Sequence, residues 1–350
     1  MRSLVKQIAW SLALGAILIM MLGKNPIAVY LNLLQGAGIA PKANYAGGRS
    51  MFTDFFSLIN YWTPMIFASL AVAVALRGGL FNIGVSGQML VSAFVSTILI
   101  GYSDLPAYIA KPLALMVAMA AGALTGGLVG WLKDRFNINE VVSTIMLNYI
   151  AQYVVAFFIY ANFIDPVSRQ SKNIRDEARL TIVGQQIGGY KYDIPIGFVV
   201  AVLMAFGVYV LFKKTTFGYE LKAVGLSSKA SKYAGIHVGK NRITAMMISG
   251  ALAGAAGAVY YLGYFSSIQP RVLPSIGFDA VAVALLGNAN PLGILASSFL
   301  ISVIGKGSTY MSSASGLDGE IASVMIAFIL LFSACGASIR KKVRGRERRA

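Results

Sequence analysis

Ten separate stretches of this chain are apolar, and few folds other than a bundle of membrane helices can accommodate so many. They fall at about residues 8–23, 52–76, 85–102, 112–132, 140–163, 194–212, 243–263, 276–287, 291–305 and 320–338. A helix needs about 20 apolar residues to cross the hydrocarbon core, and several windows meet that length. Over 350 residues the chain is 57% hydrophobic and only 12% charged, with a mean hydropathy of +0.69. The sequence is read as an all-α polytopic integral membrane protein: one transmembrane domain over 1–350, with about ten spans, some of them broken or re-entrant.

The formal charge of +17 raises nucleic acid as a partner, but its distribution points elsewhere. With the N-terminus placed inside, 19 of the 30 Lys and Arg fall on inside segments, against four acids (Asp134, Glu140, Glu220 and Glu347). The inside basics include Arg77, Lys133, the run from Lys213 to Arg242 and the tail at 339–350. Such asymmetry is the signature by which membrane proteins orient themselves. Both termini are therefore expected in the cytoplasm, and no nucleic acid is expected as a partner. Residues 1–23 have a basic start and an apolar core, but Met20-Met21-Leu22-Gly23 lacks a small-residue cleavage pattern, so a retained first span is expected.

Glycine and proline mark where spans break. Four glycines lie between Gly78 and Gly87; each weakens a helix by about 1 kcal/mol relative to Ala, so a gap between spans is expected there. The stretch from Ile276 to Gly305 is interrupted by Gly287-Asn-Ala-Asn-Pro291 and reads as two short helices meeting there. Asn25 to Gly38, with Pro26 near its start, reads as an interfacial or re-entrant piece. Gly122, Gly126 and Gly130 form a stripe of small residues, as do Gly250 and Gly254, which suits close helix packing. The largest outside loop is 165–193, with a small hairpin expected around Gly188-Gly189.

The missing chemistry narrows the function. One Cys and one His exclude a disulfide framework and a Cys/His metal site, and no cofactor is expected. The chain has neither a Gly-x-x-x-x-Gly-Lys-Ser/Thr phosphate loop nor a Gly-x-Ser-x-Gly elbow, so it is not read as an enzyme. Ion-coupled carriers usually hold acids inside their spans. Here Asp279 is the one acid near such a position, and it fits either the outer surface or a buried polar contact. A passive path driven by a partner chain is the reading that remains.

Two groups of residues are candidates for that work. Asn82, Gln88, Asn148 and Asn288 put amides, which both donate and accept hydrogen bonds, near an otherwise apolar path. Interhelical hydrogen bonding explains the same residues, and Asn148 and Gln152, four apart, share a helix face. The long inside connection at 213–242 holds a cappable short helix from Ser227 to Ala234, ended by Gly235. Leu221, Ala223, Gly225, Ala230, Tyr233, Ala234 and Gly235 combine small and apolar side chains there, which suits docking on a cytosolic subunit. An ordinary solvated basic loop is the other reading.

Phe81-Asn-Ile-Gly-Val-Ser-Gly-Gln88, Asn139-Glu-Val-Val-Ser-Thr-Ile-Met-Leu-Asn-Tyr-Ile150 and Ala280-Val-Ala-Val-Ala-Leu-Leu-Gly287 resemble the permease subunits of bacterial ABC importers. So do Thr216-Phe-Gly218, Ala223-Val-Gly225, Tyr233-Ala-Gly-Ile236 and Ser249-Gly-Ala-Leu-Ala-Gly254. The superfamily is that of branched-chain amino acid and ribose permeases, and the first two motifs are most similar to its nucleoside-type branch. The resemblance runs from about Leu70 to Ile339. It departs at Ser86, where many relatives carry Glu. It implies a bacterial inner-membrane location, a second permease chain, a twin-cassette ATPase, an extracytoplasmic binding lipoprotein and a nucleoside as cargo, with residues 221–236 coupling to the ATPase. A ribose or other sugar permease, a stand-alone secondary carrier and a membrane scaffold are the alternatives.

Overall fold

The apolar windows become helices wherever a cap or a glycine break delimits them. The computed structural model describes residues 2–45, 49–187 and 189–332. Gly188, Cys335 and the basic tail at 339–350 lie outside the described residues. The chain opens with α1 (Arg2–Met21), α2 (Pro26–Gly36), α3 (Met51–Arg77), α4 (Val85–Ser96), α5 (Ala107–Phe136) and α6 (Glu140–Phe158). A two-stranded hairpin follows, β1 (Thr181–Ile187) and β2 (Tyr190–Pro195). Then come α7 (Ile196–Lys214), α8 (Thr216–Leu226), α9 (Ser228–Tyr233), α10 (Val238–Ala258), α11 (Ile276–Leu286), α12 (Pro291–Ser315) and α13 (Glu320–Phe332).

Among the described residues, six helices are long and apolar enough to cross a membrane, or seven if the bent pair α1–α2 counts as one span. Each of the ten expected windows coincides with a helix over its described residues; α4 and α11 are too short to cross alone, and the last window is described only as far as Phe332. The window at 291–305 also stops early, because α12 runs on to Ser315. Asn25 starts α2 with its side chain accepting from the Ile27 N–H at 3.0 Å, and Pro26 occupies the first turn, where no N–H is needed. The bend between α1 and α2 is 114°. It lays α2 along α12, where Asn32 Nδ2 donates to Ser315 Oγ at 2.8 Å.

The glycine stripes meet inside this chain. A Cβ on Gly126 would fall on the Met246 carbonyl oxygen, and one on Gly250 on the Gly122 carbonyl oxygen. α5 and α10 therefore touch backbone to backbone, the packing that small residues allow in lipid.

The two expected breaks shape the interior. Between α3 and α4 the chain folds back into the bundle, with Leu80, Asn82 and Gly84 buried. Between α11 and α12, Asn288 and Ala289 adopt φ of 55° and 47°, and Pro291 starts the next helix. α4 and α11 begin against each other: Ser86 Oγ donates to the Pro274 carbonyl at 2.9 Å. A Cβ on Gly277 would lie 2.6 Å from the Ser86 nitrogen. Two half-length helices thus meet N-terminus to N-terminus inside the bundle, a device that membrane proteins use only where protein buries the broken backbone.

Three spans end in π turns, at Thr97–Gly101, Ile159–Phe163 and Val259–Tyr264. The hairpin pairs Thr181 with Pro195 and Ile187 with Tyr190. It leans on α3 through Phe56 and Tyr192, ring centroids 5.5 Å apart. The loop before it is tied down by Ser171 N–H to the Ile268 carbonyl and Leu180 N–H to the Leu262 carbonyl, at 3.0 and 2.9 Å.

Candidate translocation path and coupling surface

The re-entrant loop is held by a closed set of amide and hydroxyl bonds. Asn82 Nδ2 donates to Gln88 Oε1 at 3.0 Å and to Ser249 Oγ on α10 at 2.9 Å, while its Oδ1 accepts the Gly84 N–H at 2.9 Å. Ser249 in turn donates to the Ala71 carbonyl of α3 at 2.7 Å. Asn148 on α6 accepts the Gly87 N–H at 2.9 Å and donates to the Ile83 carbonyl at 3.1 Å. Asn82, Gln88 and Asn148 are 0%, 5% and 3% exposed. Ala71 lies six residues before Arg77, so the network sits about 9 Å along α3 from that helix end.

Three of the four amides singled out from sequence therefore come together, and the fourth does not. Gln88 and Asn148 also line a cavity of ≈ 180 Å³ between α4, α5 and α6, whose other walls are mostly apolar (Val91, Leu128, Leu147). Asn288 is exposed at the far end of α11. Its neighbour Ala289 accepts from Arg77 Nε at 3.0 Å, which ties this turn to the end of α3.

α8 and α9 lie at that same end. Thr215 caps α8 by accepting the Gly218 N–H at 3.0 Å, and Ser227 caps α9 by accepting the Ala230 N–H at 3.3 Å. Gly235, at φ 80°, turns the chain away after α9 in a left-handed conformation that suits glycine. The seven coupling candidates divide into two sets. Leu221 is buried against Gly78, and Gly225 abuts the Arg77 carbonyl, so both anchor the segment to its own bundle. Ala223 is half-buried, whereas Ala230, Tyr233, Ala234 and Gly235 are exposed. Tyr233 is 95% exposed and Leu226, not singled out from sequence, 89%. Beside them an open groove of ≈ 760 Å³ is lined by Lys229, Lys232, His237, Lys240 and Asp134.

In a second polar group, Asp279 was noted from sequence and Lys306 was not. Lys306 of α12, about 22 Å along the helix from Pro291, donates through Nζ to Tyr264 Oη at 2.9 Å. Asp279 is half-buried in the first turn of α11, in the neighbourhood of Tyr61 and Tyr260. Lys306 was hidden because its charge ended an apolar window, although the helix continues. Among the described residues no three His, Cys, Asp or Glu side chains gather as a metal site.

The bundle thus combines broken helices, a buried amide network and a cationic groove at one end. Residues 55–334 match the family described as branched-chain amino acid transport system / permease component. This chain belongs to that family. The guanosine ABC transporter permease protein NupP of Bacillus subtilis (strain 168) is 39% identical over 90% of this chain and 93% of its own. The nucleoside ABC transporter permease protein NupB of Lactococcus lactis subsp. cremoris (strain MG1363) is 35% identical over 93% and 88%. The glucose ABC transporter permease protein TsgB13 of Haloferax volcanii is 29% identical over 77% and 73%. Family membership and the six long apolar helices among the described residues together make this a multi-pass membrane protein.

Proposed function

We propose that the chain is the membrane-spanning subunit of an ABC importer for nucleosides. The observation that carries the cargo is the 39% and 35% identity, across nine tenths of the chain, to permeases named for guanosine and nucleosides. The glucose permease is less similar and covers less of the chain. The chain makes one membrane domain, pairs with a second permease, receives energy from a twin-cassette ATPase and takes its cargo from an extracytoplasmic lipoprotein. Its place is the bacterial plasma membrane.

All ten apolar windows are assigned to crossings, with both termini in the cytoplasm. The short helices α4 and α11 complete their crossings with the non-helical segments that lead into them. The charge distribution supports this, because it puts Arg77, Asn288, α8 and α9 on the inside. The exposed Leu226, Ala230, Tyr233 and Ala234 are assigned to ATPase docking, with Leu221, Ala223, Gly225 and Gly235 holding that surface in shape. Arg77 lies between Gly225 and Ala289 and offers a route from α8 to the Asn288 turn. Asn82, Gln88 and Asn148 are assigned to the gate region, as the joint about which α4 and α11 meet.

Deletion of the gene, with uptake of labelled guanosine, ribose and glucose, tests this reading. Loss of guanosine uptake alone, restored by the intact gene, is expected. Unchanged guanosine uptake together with lost ribose or glucose uptake would replace the cargo, and no defect with any of them would remove the transport role.

A further inference from the structure

One face of the bundle is built unlike the rest of its interior. Tyr61 of α3, Tyr260 and Tyr264 of the π turn after α10, Asp279 of α11 and Lys306 of α12 are all half-buried. Charges within spans face a polar surface or a water-filled path rather than lipid. Here Lys306 is already held by Tyr264, with Nζ 5.1 Å from that ring centroid as well as bonded to its hydroxyl. Asp279 has no hydrogen-bond or ion-pair donor among the described residues.

The aromatic side of this face is preorganised. The Tyr260 and Tyr264 rings lie within 15° of parallel with centroids 6.3 Å apart. Tyr61 stands edge-on to Tyr264 at 5.5 Å, and Phe265 backs Tyr260 at 5.0 Å. π turns recur at functional sites because they re-aim side chains out of helical register. A cavity of ≈ 250 Å³ opens beside Tyr260, with Phe265, Gln170, Ser267, Gln269 and Ser275 in its wall. Ser275 lies four residues before Asp279, so the two share a face of α11.

We propose that this face is the permease's own recognition site, which takes a nucleoside with its base against Tyr260 and its ribose hydroxyl pair on Asp279. The proposal rests on the nucleoside reading above and deepens it. An aromatic platform accepts any base, because every base has a π face. An ionised carboxylate only accepts hydrogen bonds and has two oxygens, which matches two vicinal hydroxyl donors. The first turn of a helix favours a carboxylate there even before cargo arrives. Gln269 offers an amide for base edges, and Gln170 offers the NH2 of an amide whose oxygen already accepts from Ser267.

The test uses the whole transporter in native membranes, with Cys335→Ser and Ser275→Cys in this chain so that one thiol reports on the cavity wall. Guanosine is expected to slow labelling of that thiol. Asp279→Asn should raise the guanosine concentration needed for protection by about 10- to 100-fold, the range for a lost hydrogen bond to a charged group. The same change should leave protection by 2′,3′-dideoxyguanosine unaltered. Tyr260→Leu should weaken both ligands, and Tyr260→Phe neither. Co-purified ATPase reports assembly. Should Asp279→Asn fail to assemble, the Ser275→Cys chain decides alone, because equal protection by guanosine and dideoxyguanosine contradicts the ribose assignment. Labelling that guanosine does not slow, in a transporter that imports guanosine, overturns the site but not the function. A wild-type transporter that imports no nucleoside overturns the function itself.

Discussion

The Asn82 network and the Asp279 face both place polar groups inside the same bundle, yet they are finished differently. Around Asn82 each amide bonds another helix or the loop itself, and all three amides are buried. On the other face, Asp279 is half-open and without a donor among the described residues, and the neighbouring tyrosines are only partly covered. A polar group in an apolar interior that is fully bonded holds the fold, whereas one left half-open implies an outside partner. Residue type alone does not separate these cases, but the bonding state does.

The comparison breaks most visibly at the packing that encloses the closed region. Gly126→Leu should abolish assembly, because the side chain would have to occupy the place of the Met246 carbonyl of α10. Detergent extraction should give no monodisperse complex, and a normal yield would mean that α5 and α10 are not in contact.

Asn148→Leu should have the next largest effect. It strips partners from the Gly87 N–H and the Ile83 carbonyl, at a cost of about 1–3 kcal/mol for each orphaned group. The purified complex should show a clearly lower thermal midpoint and reduced yield. An unchanged midpoint would place Asn148 among the open groups instead.

On the open side, function should fail while the fold survives. Ala230→Glu and Tyr233→Glu alter exposed positions of α9, so membrane yield should match wild type while ATPase co-purification and uptake are lost. Wild-type transport in both variants would free α9 from the coupling role. Lys306→Met should also leave yield close to wild type, because the contact it removes is to Tyr264 alone. Guanosine uptake should fall severalfold, and a loss of yield like that of Asn148→Leu would make Lys306 a structural residue.

Much of this organisation is legible in the sequence where the signal is local. Gly287-Asn-Ala-Asn-Pro291 announced the break before α12: Asn288 takes the left-handed conformation that Asn tolerates, and Ala289 follows it against its own preference. Ser227 and Gly235 bracket α9 as caps should. What stayed hidden depends on residues far apart in sequence. The meeting of α4 with α11 joins Ser86 to Pro274, 188 positions away. The outside loop at 165–193 carries no local sign that Ser171 within it is buried and bonded to Ile268. Lys306 looked like the boundary of a window, because hydropathy cannot register that a tyrosine on another helix receives its charge.

Vesicles carrying the purified permease pair and ATPase test the central claim most directly, with the binding lipoprotein on one side and ATP on the other. Labelled guanosine should accumulate only when ATP and the lipoprotein are both present, and glucose or ribose should not. Accumulation without ATP, driven by an ion gradient, or ATP-driven uptake of sugars in place of guanosine would contradict the account.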